Sequence, residues 1–260
     1  MVHSFAESGE FSPAVAQNRT RKMREILSAA LDLACEGGID NLTLHALAAR
    51  MDRSVAAVYR YFSSKEAVIG ELQRLVATHI RLINIDTATR IDEWAAAEGL
   101  SPAAHRLARL IGAGQTYELF AQDAPAEFGL LTHYLGSSRE ELPERDVEAV
   151  LATARGSLDR LAEDFAAAQA AGALTPGNAR ERTLIHWGAL QGVIQLIKVL
   201  RRGGGWTATD GLADATMRNL LQGWGGDAGL IGELATQIRD KKFACATRAV
   251  RDLLDDMEPA

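Results

Sequence analysis

The sequence predicts an all-α protein, with an N-terminal three-helix helix-turn-helix domain followed by a larger helical domain. Apolar residues recur at intervals of three and four along almost the whole chain, which is typical of amphipathic helices. Alternating strand-type runs are missing, and capping residues and glycines separate the periodic segments. A length of 260 residues favours two domains. We interpret residues 1–18 as a flexible N-terminal arm, residues 19–66 as the helix-turn-helix domain and residues 67–260 as the C-terminal domain.

The composition is that of a soluble globular protein, with 47% hydrophobic and 24% charged residues. The N-terminus lacks a cationic start followed by an apolar run, so we expect no signal peptide. The apolar stretch 184–200 is interrupted by glutamine and lysine, so we predict a buried helix rather than a membrane span. Cys35 and Cys245 match no metal-ligand spacing and are expected as reduced thiols. These features predict a cytoplasmic protein.

Charge is distributed unevenly along the chain. The net charge is −6, yet the segment from Arg19 to Arg81 carries 10 basic and 7 acidic residues. Residues 82–260 carry 18 basic and 25 acidic residues. The positive charge therefore coincides with the helix-turn-helix domain, where it is needed to attract the phosphates of DNA.

The helix-turn-helix domain is predicted from its caps and its apolar stripes. A first helix is expected from about Thr20 to Glu36, ended by two glycines. Thr43 is the expected N-cap of the second helix, and Ser54 is the expected N-cap of the third, VAAVYRYF. The sequence SSKE then resembles a capping box in which Ser63 caps a long fourth helix. Beyond it we predict five or more helices, which begin near Ser101, Asp123, Pro143, Thr175, Thr209 and Leu230.

The segment TLHALAARMDRSVAAVYRYFSSKEAV closely resembles the signature of the TetR family of transcription regulators. The match covers roughly residues 19–71 and rests on spacing, capping and aromatic positions together. The residues that carry it are Thr43, Leu47, Ala48, Ser54, Val58, Tyr59, Tyr61, Phe62 and Lys65. Asp52 and Arg53 stand where the family usually has glycine and an apolar residue; aspartate tolerates the left-handed backbone of such a turn. The resemblance implies a dimeric regulator that binds double-stranded DNA.

The third helix is expected to enter the major groove of DNA as the recognition helix. Val58 and Phe62 should face the core, which leaves small apolar side chains for thymine methyl groups and Tyr59 for a phosphate. The expected DNA-binding residues are Thr43, His45, Arg53, Ser54, Val55, Ala56, Tyr59, Arg60, Tyr61 and Lys65. Two alternatives stay open, since Tyr61 fits the domain core and His45 fits an ordinary exposed position. The basic group Arg19, Arg21, Lys22 and Arg24 fits either a grip on DNA or a solvated face.

By resemblance, the last two family helices pack against their copies in a second subunit as a four-helix bundle. Two recognition helices about 34–36 Å apart reach successive major grooves, so a palindromic operator is expected. The expected interface residues are Leu184, Ile185, Gly188, Gly192, Val193, Ile197, Leu212, Leu220 and Leu221.

A ligand pocket in the C-terminal domain is implied by the family, with an unknown small molecule as effector. The aromatic candidates for its lining are Trp94, Tyr117, Phe120, Phe128, His133, Tyr134, Phe165 and Trp187, and the alternative is that each is ordinary core. No paired-histidine spacing, dinucleotide fingerprint or nucleophile motif occurs, so we expect no metal, no cofactor and no enzyme. The region after Leu230 looks longer than the family minimum, and it either extends the dimer interface or covers the pocket.

These observations predict a repressor that a small-molecule ligand releases from DNA. The alternative is a DNA-binding regulator without an effector, whose C-terminal domain serves dimerisation or protein docking. A helical enzyme with an incidental helix-turn-helix is the least favoured hypothesis.

Overall fold

The fold is all-helical, as predicted. A computed structural model describes residues 13–133, 144–203, 210–244 and 249–257, and no strand occurs among them. The first three helices form the N-terminal domain: α1 Pro13–Gly37, α2 Leu44–Arg50 and α3 Val55–Tyr59.

Local capping sets the boundaries of the short helices. Thr43 Oγ1 accepts a hydrogen bond from the Ala46 amide at 3.0 Å, and Ser54 Oγ accepts one from the Ala57 amide at 3.3 Å. Both predicted N-caps are therefore confirmed. Between them Asp52 has a φ of 50°, the left-handed conformation expected for the turn.

Three boundaries in this region differ from the prediction, and the first is the end of α3, which stops at Tyr59 although the predicted segment VAAVYRYF runs to Phe62. Helix α1 begins at Pro13 rather than near Thr20, so residues 13–18 are helical and do not belong to a flexible arm. The long helix α4, Lys65–Glu98, is capped by Ser64 and not by Ser63. Ser64 Oγ accepts a hydrogen bond from the Ala67 amide at 3.2 Å, because Ser64 is the last residue with extended backbone before the helix.

The remaining helices build the larger domain around α4. They are α5 Pro102–Asp123, α6 Pro125–Thr132, α7 Glu144–Ala170, α8 Ala179–Gly203, α9 Leu212–Gly223, α10 Ala228–Asp240 and α11 Val250–Asp255. Helix α5 packs on α4, α7 and α10, while α8 packs on α7 and α9. Helix α8 begins later than expected, because the side chain of Asn178, not the Thr175 segment, caps its first amides.

A partly buried ion network ties three of these helices together. The Arg109 guanidinium on α5 donates to Asp92 of α4 at 2.9 Å and to Asp164 of α7 at 2.7 Å. His105 adds a contact to Asp92 at 2.7 Å. On α5, Gly112 permits close approach to α4, because a Cβ there would lie 2.3 Å from Ile91 Cδ1. Helices α4, α5 and α7 therefore pack closely together at the centre of the larger domain.

Candidate DNA-binding surface

Helix α3 projects from its domain with one face in solvent. Val58 is 1% exposed and Phe62 is 5% exposed, so these two side chains anchor the segment in the core as expected. Ala56, Tyr59 and Arg60 point outward, and Tyr59 is 54% exposed although it is aromatic. The Tyr59 ring and hydroxyl are therefore accessible to a partner on the outer face of α3.

The other predicted DNA-binding residues differ in how far their side chains are exposed. Thr43, His45, Arg53 and Ser54 are exposed, whereas Val55 and Lys65 are half-buried. Tyr61 is half-buried against the core, and the Arg19 guanidinium lies 6.0 Å from the centre of its ring. Tyr61 therefore combines the packing expected of a core residue with a cation–π contact at the surface.

Part of the predicted basic group is already paired within the chain. Arg21 and Lys22 each contact the Glu25 carboxylate at 2.7 Å, and the hydrogen bond from Lys22 lowers the pKa of Glu25. Arg24 donates to the carbonyl oxygen of Met257 at 2.8 Å. Arg24 thus serves an intramolecular contact that sequence reasoning missed, because the partner lies near the other end of the chain.

Helix α8 presents an apolar outer face. The exposed positions of this stripe are Leu184, Ile185, Gly188, Gly192, Leu196 and Val199. The prediction of a buried helix was wrong, because only 22% of the stretch Ala179–Leu200 is buried. By length and composition alone this stretch is also apolar enough to cross a membrane, a test that the core helix of a soluble protein passes as well.

The predicted interface residues divide by burial. Leu184, Ile185, Gly188 and Gly192 are exposed, while Val193, Ile197, Leu212 and Leu220 are half-buried. Leu221 is 0% exposed, so its assignment to the interface was wrong; it packs in the core of its own chain. Leu196 and Val199, which the sequence did not single out, extend the exposed stripe by two turns.

Four of the aromatic candidates for a pocket come together between α5, α6 and α8. The ring centres of Tyr117 and Phe128 are 5.5 Å apart, and those of Phe120 and Phe128 are 6.2 Å apart. Trp187 Nε1 donates to the Tyr117 hydroxyl at 3.2 Å, and that hydroxyl donates to Gln191 Oε1. Burial raises the pKa of Tyr117 to about 12, so the hydroxyl stays protonated.

The other candidates lie elsewhere. Trp94 packs against Phe243, and Phe165 packs against His186 and Trp224. His133 is half-buried at the end of α6, and Tyr134 lies outside the described residues. A cleft of about 380 Å³ opens instead between α4, α5 and α7, and its lining is largely charged: Asp92, Arg106, Arg109, Arg160, Glu163 and Asp164.

His186 is a buried polar group that the sequence did not single out. It is 1% exposed, and neither ring nitrogen has a hydrogen-bond partner. Burial lowers the pKa of His186 to about 4, so the ring is neutral at physiological pH. Among the described residues, no group of three histidine, cysteine, aspartate or glutamate side chains has the geometry to hold a metal ion.

Comparisons with known proteins agree with this architecture. Residues 26–72 match the family described as bacterial regulatory proteins, tetR family. The uncharacterized HTH-type transcriptional regulator YdeS of Bacillus subtilis strain 168 is 35% identical over 117 residues, which are 40% of this chain and 56% of that relative. The chain thus matches little more than half the length of this curated relative.

Solved structures share the fold along most of the chain. SmeT, the repressor of the Stenotrophomonas maltophilia multidrug efflux pump SmeDEF, superposes with a TM-score of 0.56 at 18% identity, over 82% of this chain and 94% of SmeT. AibR in complex with isovaleryl coenzyme A and operator DNA superposes with a TM-score of 0.52 at 18% identity, over 78% of this chain and 98% of AibR. The helix-turn-helix residues of the chain therefore match the tetR family of bacterial regulatory proteins, and the chain as a whole shares the fold of SmeT and AibR.

Proposed function

We propose that the protein is a dimeric, cytoplasmic transcriptional repressor that binds a palindromic operator and is released by a small-molecule ligand. DNA binding is supported by the exposed outer face of α3. Ala56, Tyr59 and Arg60 are exposed there, while Val58 and Phe62 anchor the segment in the core. A helix held in this way fits the major groove with its N-terminal residues near the base edges.

The residues around this face take different roles in the proposal. Val55 and Ala56 contact thymine methyl groups, while Arg53 and His45 donate hydrogen bonds to base edges. Tyr59 and Lys65 contact phosphates and set the register of the protein on the duplex. Lys65 is the first residue of α4, where the helix dipole adds to the attraction for phosphate.

Dimerisation is supported by the apolar stripe of α8. Leu184, Ile185, Leu196 and Val199 are each more than two-fifths exposed in the single chain, which is costly for large apolar side chains in water. Gly188 and Gly192 lie between them, and a Cβ at either position would meet nothing within 4 Å, so a second helix has room to approach closely. We assign a second copy of the chain as the partner of this stripe.

Ligand release is supported by the buried His186, whose two ring nitrogens have no hydrogen-bond partner, and by the neighbour whose structure contains both a ligand and operator DNA. A ligand that binds one arrangement of the dimer more tightly shifts the population towards it. Release follows when that arrangement no longer matches the spacing of successive major grooves. The alternative remains a DNA-binding regulator without a small-molecule effector, whose larger domain serves dimerisation or protein docking.

Footprinting on the DNA that flanks the gene of this protein tests the central claim. We expect a protected sequence with two-fold symmetry, lost in the Tyr59→Ala variant and retained in Thr236→Ala, an exposed control on α10. Absence of protection by the folded wild-type protein would refute operator binding at this locus.

A thermal-denaturation screen against metabolites then separates the two functional hypotheses. A compound that raises the melting temperature and also releases the footprinted DNA supports ligand control. Compounds that stabilise the protein without any effect on the footprint support the alternative.

A further inference from the structure

The C-terminal residues form a second connection between the two domains. We call residues 241–244 and 249–257 the C-terminal strap. At one end the strap continues from α10, which is held to the larger domain by a hydrogen bond from Gln115 Nε2 to the Ala235 carbonyl at 2.9 Å. An ion pair between Arg239 and Asp214 at 2.9 Å adds a tie from α10 to α9.

The strap then follows α4. The ring of Phe243 lies 5.6 Å from that of Trp94, and the Phe243 carbonyl accepts a hydrogen bond from Thr87 Oγ1 at 3.2 Å. Both contacts are made by Phe243, which therefore lies against the C-terminal half of α4, and α11 packs on α4 as well.

At its other end the strap is anchored on α1. Val250 is 0% exposed and Leu254 is 2% exposed, so α11 buries its apolar face in the common core. Arg251 forms an ion pair with Asp32, and the Met257 carbonyl accepts the hydrogen bond from Arg24 at 2.8 Å. Helix α11 therefore runs antiparallel to α1.

Arg251 lies between acidic side chains of the two domains. The carboxylate of Asp32 belongs to α1, while that of Glu127 belongs to α6 of the larger domain, and both attract the Arg251 guanidinium and raise its pKa. Burial raises the pKa of Glu127, and the charge of Arg251 opposes that rise. One side chain thus interacts with an acid from each domain.

We propose that the C-terminal strap fixes the orientation of the helix-turn-helix domain relative to the larger domain. Helix α1 also contacts α4 and α6 directly. The strap adds contacts spread along α1 from Arg24 to Asp32, and its helix α11 packs on α4 as well. A rotation of α1 against α4 would have to break these contacts.

Pulsed electron paramagnetic resonance on the full-length protein tests the proposal. Nitroxide labels are attached at Ala49→Cys on α2 and Ala166→Cys on α7, two exposed positions, after Cys35 and Cys245 are replaced by serine. Labelled chains are diluted with unlabelled protein so that only distances within one chain are measured. We expect a narrow distance distribution in the parent protein and one broadened about two-fold by Arg251→Asp.

Two further variants separate orientation from folding. The exchange Asp32→Arg with Arg251→Asp restores the ion pair with α1; combined with Glu127→Gln, which removes the repulsion between Glu127 and the new carboxylate, it should narrow the distribution again. Asp240→Arg, a charge reversal at the exposed end of α10, should leave it unchanged. Leu254→Ala should broaden the distribution without any change of charge.

A distribution of unaltered width in Arg251→Asp and Leu254→Ala, with helix content retained by circular dichroism, would overturn the proposal. Broadening that the exchanged pair does not reverse would overturn the role of the Arg251 contact. The measurement uses no DNA and no ligand, so its outcome is independent of the proposed repressor function.

Discussion

At the residue scale, Arg53 and Tyr59 are both exposed but offer different chemistry to DNA. A guanidinium forms paired hydrogen bonds with a guanine edge, whereas a phenolic hydroxyl beside the groove contacts a phosphate. Arg53 stands in the turn before α3, and Tyr59 is the last residue of that helix. Substitution of each side chain in turn therefore separates an effect on sequence specificity from an effect on overall affinity.

We expect Arg53→Ala to relax the preference at one base pair, at a cost of about 1–3 kcal/mol for the preferred base. Tyr59→Phe should instead weaken binding to all sequences by a similar factor, because a phosphate contact carries no sequence information. Fluorescence anisotropy with the footprinted site and its single-base variants measures both effects. Equal losses on every duplex for Arg53→Ala would contradict its reading of a base.

Two adjacent serines precede α4, and only Ser64 caps the helix. Ser64→Ala removes the oxygen that accepts the Ala67 amide and should lower the free energy of unfolding by about 1 kcal/mol. Ser63→Ala removes no such hydrogen bond, so it should change the free energy of unfolding by a few tenths of a kcal/mol at most. Urea denaturation of the two variants measures the difference, and the reverse order would restore the capping box predicted from the sequence.

His186 makes stability depend on pH through its burial. Its pKa is lowered from 6.5 to about 4, so between these values the unfolded chain binds a proton that the folded chain does not. Stability from this group is present above pH 6.5 and is lost as the pH falls towards 4, by on the order of 3 kcal/mol.

We therefore expect His186→Leu to lose less stability than the parent protein between pH 7 and pH 4.5, as measured by urea denaturation at both values. The exposed His45 provides the control, and His45→Gln should follow the parent protein. An unchanged pH dependence in His186→Leu would mean that the ring is not buried as a neutral group.

At the element scale, local signals are predictable from sequence and the choice of helix face is not. Thr43 and Ser54 can be recognised because a cap depends on residues within one turn. The apolar positions of α8 can be recognised as well, but the sequence pattern places Leu221 in the dimer interface and gives no sign that Leu196 is exposed. Which apolar face meets its own chain is decided by distant packing on α7 and α9, and periodicity alone does not report it.

The C-terminal helices illustrate the same limit over a longer range. The sequence predicts one or two helices after Leu230, and α10 and α11 are present. Their partners on α1 and α5 lie far away in sequence, as the contact of Arg24 with Met257 shows. Neither of the expected roles, extending the interface or covering the pocket, describes the packing of α11 on α1.

The outer stripe of α8 leads to a prediction for oligomeric state. Leu184→Asp places a charge in the stripe and should convert the dimer to a monomer, because an unpaired charge buried in an apolar interface is costly. The chain should keep its helix content, since Leu184 is 56% exposed in the single subunit. Analytical ultracentrifugation measures the mass, and Thr236→Asp on α10 is the control. A dimer that survives Leu184→Asp and Val199→Asp would move the interface elsewhere.

At the scale of the whole molecule, the charge distribution restricts where DNA can bind. The segment from Arg19 to Arg81 has a net charge of +3, while residues 82–260 have a net charge of −7. The acidic larger domain repels phosphate, which is why the proposed DNA contact is confined to the helix-turn-helix domain. One such surface buries little area, and tight binding requires two on the same duplex.

The proposed dimer therefore predicts a strict dependence on the spacing between operator half-sites. Two recognition helices held by one dimer reach the same side of the duplex only at spacings near whole helical turns. Inserting about 5 base pairs between the half-sites turns one of them to the opposite side, and affinity should fall to that of a single half-site, at least about 100-fold. Gel-shift titration of the footprinted operator and the inserted version measures the loss, and mutation of one half-site in the inserted version should have little further effect. Equal affinity for both operators would show that each subunit binds independently, which contradicts a rigid dimer joined through α8.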